Sequence, residues 1–397
     1  MPADTGYRVV LMHPSFSAMV LASALLASNL IGCGDGSTSG SPGGLEAWPT
    51  PGWRVEAPDN HHMDAATLDG ARAYAFGEGK NTQGVVVVRG GVIVGEWYEE
   101  GRDETWFGTS WSVAKSFTSA LIGIAIGEGL IEGVDVSMAD FIPQWRGTEK
   151  EAITLYDVLS MASGLQWNEN YDPGNLTDSD VIQMILLSED QLDYAASRPL
   201  EVPPGTRWSY SSGDTMLLSA VLEVVTGGHA AAYAREKLFG PIGMDPVDWW
   251  LDTVGRTATY CCIDTPTRQF AKFGLLYLRG GTWDGTRVVS ADWVAASTSP
   301  SVVGHYGYQW WLGSTPGGRD MFSAIGVDGQ YIYVIPGLDL VVVRNAHYDK
   351  YDGEPQADPS LWSLLPSGGL VPGLGSIPPD SWSDDEFLEH IEGAVLR

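Results

Sequence analysis

Apolar residues gather at the two ends of the chain in short, β-branched runs. "GVVVVRGGVIVGEWYEE" (Gly84 to Glu100) reads as an antiparallel hairpin, two such runs turning at Gly90-Gly91. "SAIGVDGQYIYVIPGLDLVVVRN" (Ser323 to Asn345) predicts further strands, with Pro336-Gly337 as a turn. Between them the apolar pattern lengthens into helices, including "DTMLLSAVLEVVTG" and "TRQFAKFGLLYLRGG". Phe117 to Ile126 has almost no polar face, which predicts a helix buried on all sides. A last helix over about Asp384 to Leu396 opens with Ser383 and Glu386 in capping-box spacing. Strands from both ends with helices between them imply an α+β fold: one antiparallel sheet flanked by helices, with an inserted helical region. One continuous domain is expected over 59–397, crossed by a long Pro/Gly-rich loop from Asp352 to Pro379.

The N-terminal pattern differs. An apolar run, roughly Phe16 to Ile31, is short for a membrane span and carries Ser and Asn, which suits an export signal over 1–32. It ends in "LIGC", similar to the lipobox of bacterial lipoproteins, whose cysteine (here Cys33) is lipidated and becomes the new N-terminus. The Gly/Ser/Pro-rich stretch 33–58 is then a flexible tether. The expected location is the bacterial cell envelope, with membrane contact only through that anchor. Cys261 and Cys262 are neighbours, and a bridge between neighbours is expected to be strained, so both are read as small buried apolar residues.

Composition narrows the function. Fifty acidic against 22 basic residues give a net charge of −28, which repels nucleic acid and anionic membrane surfaces. The chain has no H-E-x-x-H, no metal-ligand cysteine spacing, no G-x-G-x-x-G after a strand and no G-x-x-x-x-G-K-[ST], so no metal or cofactor is expected. It has no G-x-S-x-G elbow either.

"FGTSWSVAKSFTSALIGIAIGEGL" (Phe107 to Leu130) places Ser112 and Lys115 where a polar stretch turns apolar. A spacing of three stacks both side chains on one helical face. Backbone N–H groups at the helix start favour a developing oxyanion. Burial favours the neutral amine, so Lys115 is the expected activator of a nucleophilic Ser112. Six lysines make a chance S-x-x-K common, so the pair gains weight from its company further along the chain.

"LYDVLSMASGLQW" (Leu155 to Trp167) and "PGTRWSYSSGDTMLLSAVLEVVTG" (Pro204 to Gly227) are that company. Together with "SVAKS" they resemble, in order, the landmarks of the serine hydrolases that include class C β-lactamases, D-Ala-D-Ala peptidases and related esterases and amidases. "SWSVAKSFTSALIG", "SGLQWNENYDP" and "AIGVDGQ" are most similar to the nylon-oligomer (6-aminohexanoate-dimer) hydrolases. The resemblance implies Ser112 as nucleophile, Lys115 as its partner and Tyr210 as the proton relay to the leaving group. Where the family has Asn the chain has Ser212, whose hydroxyl can still bond Lys115 or substrate. In the third motif Ala324-Ile325-Gly326 stands where the family has Lys-Thr-Gly or His-x-Gly. The resemblance then makes the N–H of Val327 the second oxyanion donor, beside that of Ser112. Tyr171 matches a tyrosine that faces the scissile amide in the nylon-oligomer hydrolases.

The expected activity is hydrolysis of small esters or linear amides through an acyl-enzyme, without cofactor. A β-lactamase or D-Ala-D-Ala carboxypeptidase is the alternative within the family, disfavoured by the missing third-motif cation. The alternative of another class is a non-catalytic lipoprotein that uses the fold as a binding module.

Overall fold

The computed structural model describes residues 47–170, 178–346 and 381–396. Cys33, Tyr171 and the 352–379 stretch lie outside the described residues. The first hairpin pairs β1 (Thr82–Arg89) with β2 (Val92–Tyr98). Gly90 and Gly91 turn it at φ of 60° and 78°, the left-handed pair that a tight hairpin of the right twist requires. Four strands from the C-terminal part complete the sheet: β3 (Trp311–Ser314), β4 (Asp320–Gly326), β5 (Gln330–Ile335) and β6 (Leu340–Ala346). The order is β2-β1-β6-β5-β4-β3, and the pairings β2–β1, β1–β6, β6–β5, β5–β4 and β4–β3 are all antiparallel. First and last parts of the chain therefore meet at the centre, with Val86 opposite Val343.

Successive side chains of a strand point to opposite faces, and here both faces are covered. Val85, Val87 and Val342 pack under α1 (Ala65–Ala75) and the C-terminal α5 (Asp384–Gly393). Val86, Val88 and Val343 pack under the helical layer that holds α2 (Ala114–Gly127) and α4 (Thr267–Leu278). That explains a run of valines without polar alternation. Residues Ala114 to Ala125 of α2 are all buried, and Phe117 stacks on Phe273 of α4 at 3.7 Å between ring centroids. The inserted region contributes α3 (Ser212–Thr226), which ends on Gly227 in the left-handed conformation and packs against α2.

Two expectations are corrected. The folded unit starts at Ala47, twelve residues ahead of Asp59. Residues 47–58 lie on the hairpin: Ile93 N donates to Arg54 O and Glu56 N to Ile93 O. Trp48 packs on Trp283, and Trp53 donates its indole N–H to Arg268 O. A segment without periodicity is thus held by two tryptophans. Cys261 and Cys262 form a disulfide rather than two free thiols. Cys262 takes a left-handed φ of 76° and its N–H donates to Trp111 O. Both residues are buried, as expected.

Candidate active site

The stretch around Ser112 leaves a short strand, Phe107–Thr109, passes through one 3-10 turn (Trp111–Val113), and enters α2 at Ala114. The strand pairs with Ile263–Pro266, and Ser110 bonds the same strand twice, N to Ile263 O and Oγ from Ile263 N. Trp111 is held at φ of 42°, a costly conformation for a bulky residue that persists where the surroundings fix it. Ser112 is therefore carried on an anchored turn, half-buried, immediately ahead of a helix buried in the core.

Lys115 is 1% exposed. Its Nζ lies 2.9 Å from Ser112 Oγ, 3.0 Å from Ser212 Oγ and 3.0 Å from the carbonyl oxygen of Tyr260. The amine also sits 5.0 Å from the ring centre of Tyr210. Burial pushes Lys115 down to about 8, against an opposing pull from the Glu169 carboxylate. Burial holds the Tyr210 phenol well above the usual range, so it is a proton donor at neutral pH. Ser112, Lys115, Tyr210 and Ser212 thus meet although up to 100 residues separate them in sequence.

Around them the walls are polar networks and rings. Gln309 accepts from Thr215 Oγ1 on α3, donates to Leu159 O, and through its backbone carbonyl accepts from Ser116 on α2. The Ser163 hydroxyl donates to Asp214 on α3 at 2.6 Å. Such buried, satisfied bonds fix the helices that carry the site. Tyr210 packs against Trp311 and Tyr306, and Trp208 lies against His305 and both of those residues. Trp167 sits over Gly213, where an added Cβ would come within 2.5 Å of its ring. Trp106 is stacked under Arg102, and Trp111 is buried against Trp250.

At the third motif Ala324 is buried in the core beneath the sheet, and Gly326 ends β4 against the nucleophile's turn. A Cβ on Gly326 would stand 2.5 Å from Ser110 O. Val327 begins the turn Val327–Gly329, in which Asp328 has φ of 62°. Arg344 of β6, fully buried, donates to the carbonyls of Asp328 and Gly329 from behind. Its guanidinium lies 4.0 Å over Trp382 at the C-terminal segment.

Sequence reasoning missed Glu169. Its carboxylate accepts from Ser212 Oγ at 2.5 Å, from Ser212 N at 2.9 Å, and from the indole of Trp167. It stands at the N-terminus of α3, where a negative charge is favoured. The signal was available only as an acidic residue next to the "SGLQW" landmark.

The geometry of a serine, a buried lysine and a tyrosine on this sheet-and-helix scaffold defines a class, and the comparisons agree. The model of the Beta-lactamase family matches residues 75–364, so the chain belongs to the beta-lactamase family and is a serine hydrolase of that kind. It is 27% identical over 311 residues to a 6-aminohexanoate-dimer hydrolase of Paenarthrobacter ureafaciens, covering 73% of this chain and 77% of that one. Two solved structures share the fold. One is EstCE1, a hydrolase with promiscuous acyltransferase activity (TM-score 0.62, 14% identity, 82% of this chain and 98% of that one). The other is a family VIII carboxylesterase (TM-score 0.54, 19% identity, 72% and 93%).

Proposed function

We propose that the protein hydrolyses small neutral esters and linear amides through an acyl-enzyme on Ser112. The observation that carries this is a buried amine 2.9 Å from a half-exposed serine hydroxyl. The neutral amine takes the Ser112 proton as Oγ attacks the acyl carbon. The carbonyl oxygen becomes an oxyanion, received by the N–H groups of Ser112 and Val327. As the tetrahedral species collapses, the Tyr210 phenol delivers a proton to the departing alkoxide or amine, and Lys115 restores the tyrosine's proton. Water then repeats the attack on the acyl-enzyme, with the same groups moving protons in reverse. The likeness to a 6-aminohexanoate-dimer hydrolase supports linear amides, and the fold shared with a carboxylesterase is consistent with esters. Ala324 supplies no cation for a substrate carboxylate, which disfavours β-lactams. Tyr171, outside the described residues, is proposed to face the substrate.

The test of the class is a fluorophosphonate probe, which reacts with activated serines. Wild type should label and Ser112→Ala should not. Absence of labelling in folded wild type would favour the binding module. We also propose export and lipidation at Cys33, motivated by "LIGC"; a fatty-acid analogue fed to producing cells should mark wild type and spare Cys33→Ala, and equal marking of both would refute it.

A further inference from the structure

The three neighbours of Lys115 Nζ are not equivalent. A neutral amine has two N–H groups and one lone pair, so with three partners at hydrogen-bond distance one of them has to donate. The Tyr260 carbonyl can only accept. Ser212 has one proton, and its Oγ donates to the carboxylate oxygen Glu169 Oε1 at 2.5 Å. That carboxylate is held at its other oxygen by the Ser212 N–H and by the indole of Trp167, so it does not turn away. With the Ser212 proton committed to Glu169, Ser212 offers Lys115 only lone pairs. Ser112 is the one partner left that can donate.

We propose that Glu169 is a positioning residue of the nucleophile: by taking the Ser212 proton it makes Ser212 an acceptor, and so aims the lone pair of Lys115 at the Ser112 hydroxyl. The inference rests on Ser112 and Lys115 acting as nucleophile and base. It gives the serine a chemical reason. An Asn at position 212 would present an amide oxygen, which accepts from the lysine unaided; a serine does so reliably only with a carboxylate behind it. During attack the Ser112 proton moves to Lys115, the O–H bond breaking as the N–H bond forms. The new ammonium donates to Ser212 and Tyr260, and the Glu169 charge reaches it through one hydroxyl.

Glu169 also biases the proton affinity of Lys115. The groups facing that amine are Ser112, Tyr210 and Ser212 at the start of α3, Tyr260 ahead of the cysteine pair, and Glu169. Both tyrosines are held protonated by burial, so they carry no charge at neutral pH. Burial lowers the amine and Glu169 raises it. Removing the carboxylate charge therefore lets Lys115 lose its proton at lower pH.

The experiment is the pH profile of kcat/KM for p-nitrophenyl butyrate, whose acidic limb reports the free base, run on wild type, Glu169→Gln, Glu169→Ala, Ser212→Asn and Glu169→Ala/Ser212→Asn. Glu169→Gln keeps the shape and loses the charge, so its acidic limb should move to lower pH. Glu169→Ala should lose about tenfold or more in kcat with KM little changed, a coupling of the size seen between contacting residues. With Asn at 212 the loss should vanish, the double variant matching Ser212→Asn. An unmoved limb in Glu169→Gln, or a double variant as impaired as Glu169→Ala, overturns the role of Glu169. Should Glu169→Ala not fold, the Glu169→Gln limb decides alone. A wild type inert to both ester and fluorophosphonate would instead sink the hydrolase reading on which this one rests.

Discussion

At the scale of single residues the site depends on one displaced proton affinity. An exposed lysine is protonated throughout the physiological range, but burial brings Lys115 to about 8. Only the free amine can accept from Ser112. Activity should therefore rise as pH passes upward through about 8 and level off above it, the reverse of a site that needs an ammonium. Lys115→Met fills the same buried space without a base, and should abolish turnover while the domain still folds. Tyr210→Phe keeps the ring contacts with Trp311 and Tyr306 and removes the proton, so kcat should fall by roughly 10²–10⁴-fold. The measurement is steady-state turnover beside a thermal melt. Near-normal turnover in Tyr210→Phe would mean that another group delivers the proton. Ser112 and Lys115 were legible in sequence because their short spacing came in order with the later landmarks "SGLQW" and "SYSSG". Glu169 was not, because its partner Ser212 is 43 positions away and only tertiary packing joins them.

At the scale of elements, the proposed oxyanion site of Ser112 and Val327 requires that the end of β4 meet the turn before α2. Gly326 allows that approach, and its backbone is ordinary at φ of −122°. The demand on it is therefore space alone. Gly326→Ala would drive a Cβ to 2.5 Å from Ser110 O, a backbone atom that accepts from Val113 N, and to 3.1 Å from Trp111 Cβ. The strand end has to retreat, carrying the Val327 N–H out of line with that of Ser112. Loss of one oxyanion donor corresponds to about 10²–10³-fold in kcat, with about 1–3 kcal/mol of stability lost to overpacking. Gly313→Ala on the neighbouring β3 is the control, since nothing lies within 4 Å of the added atom. If both variants keep wild-type kcat, Val327 is not a donor. The hairpin, β4 to β6 and the long helices could be read from the chain because each has its own period and its own turn residues. The first residues of the domain could not: Trp48 and Trp53 are fixed by Trp283 and Arg268, more than 200 positions on. The cysteine bridge was misread because adjacency was taken to rule it out, and neither the left-handed φ of Cys262 nor its N–H bond to Trp111 O is announced by a local pattern.

At the scale of the whole molecule, charge and site favour the same substrates. A net charge of −28 sets up a negative potential around the chain. Inside, the site adds the Glu169 carboxylate, and the third motif has the apolar Ala324 at the position where the resemblance expects a cation. Rings surround the proposed proton donor, Trp311 and Tyr306 packing on Tyr210 and Trp208 packing on both of those. An acyl group entering such a cleft gains from being neutral and apolar. A p-nitrophenyl butyrate ester should accordingly be cleaved with higher kcat/KM than a cephalosporin chromogen, whose carboxylate meets no cation at position 324. Salt separates the two sources of that preference. Long-range repulsion reaches about 30 Å at 0.01 M ionic strength and about 8 Å at 0.15 M. Between those conditions the anionic substrate should gain in kcat/KM while the neutral ester stays flat. What remains of the gap at the higher salt measures the missing anchor at position 324. A cephalosporin turned over faster than the ester at both ionic strengths would require a carboxylate-binding group within the cleft and would refute the preference for neutral acyl groups.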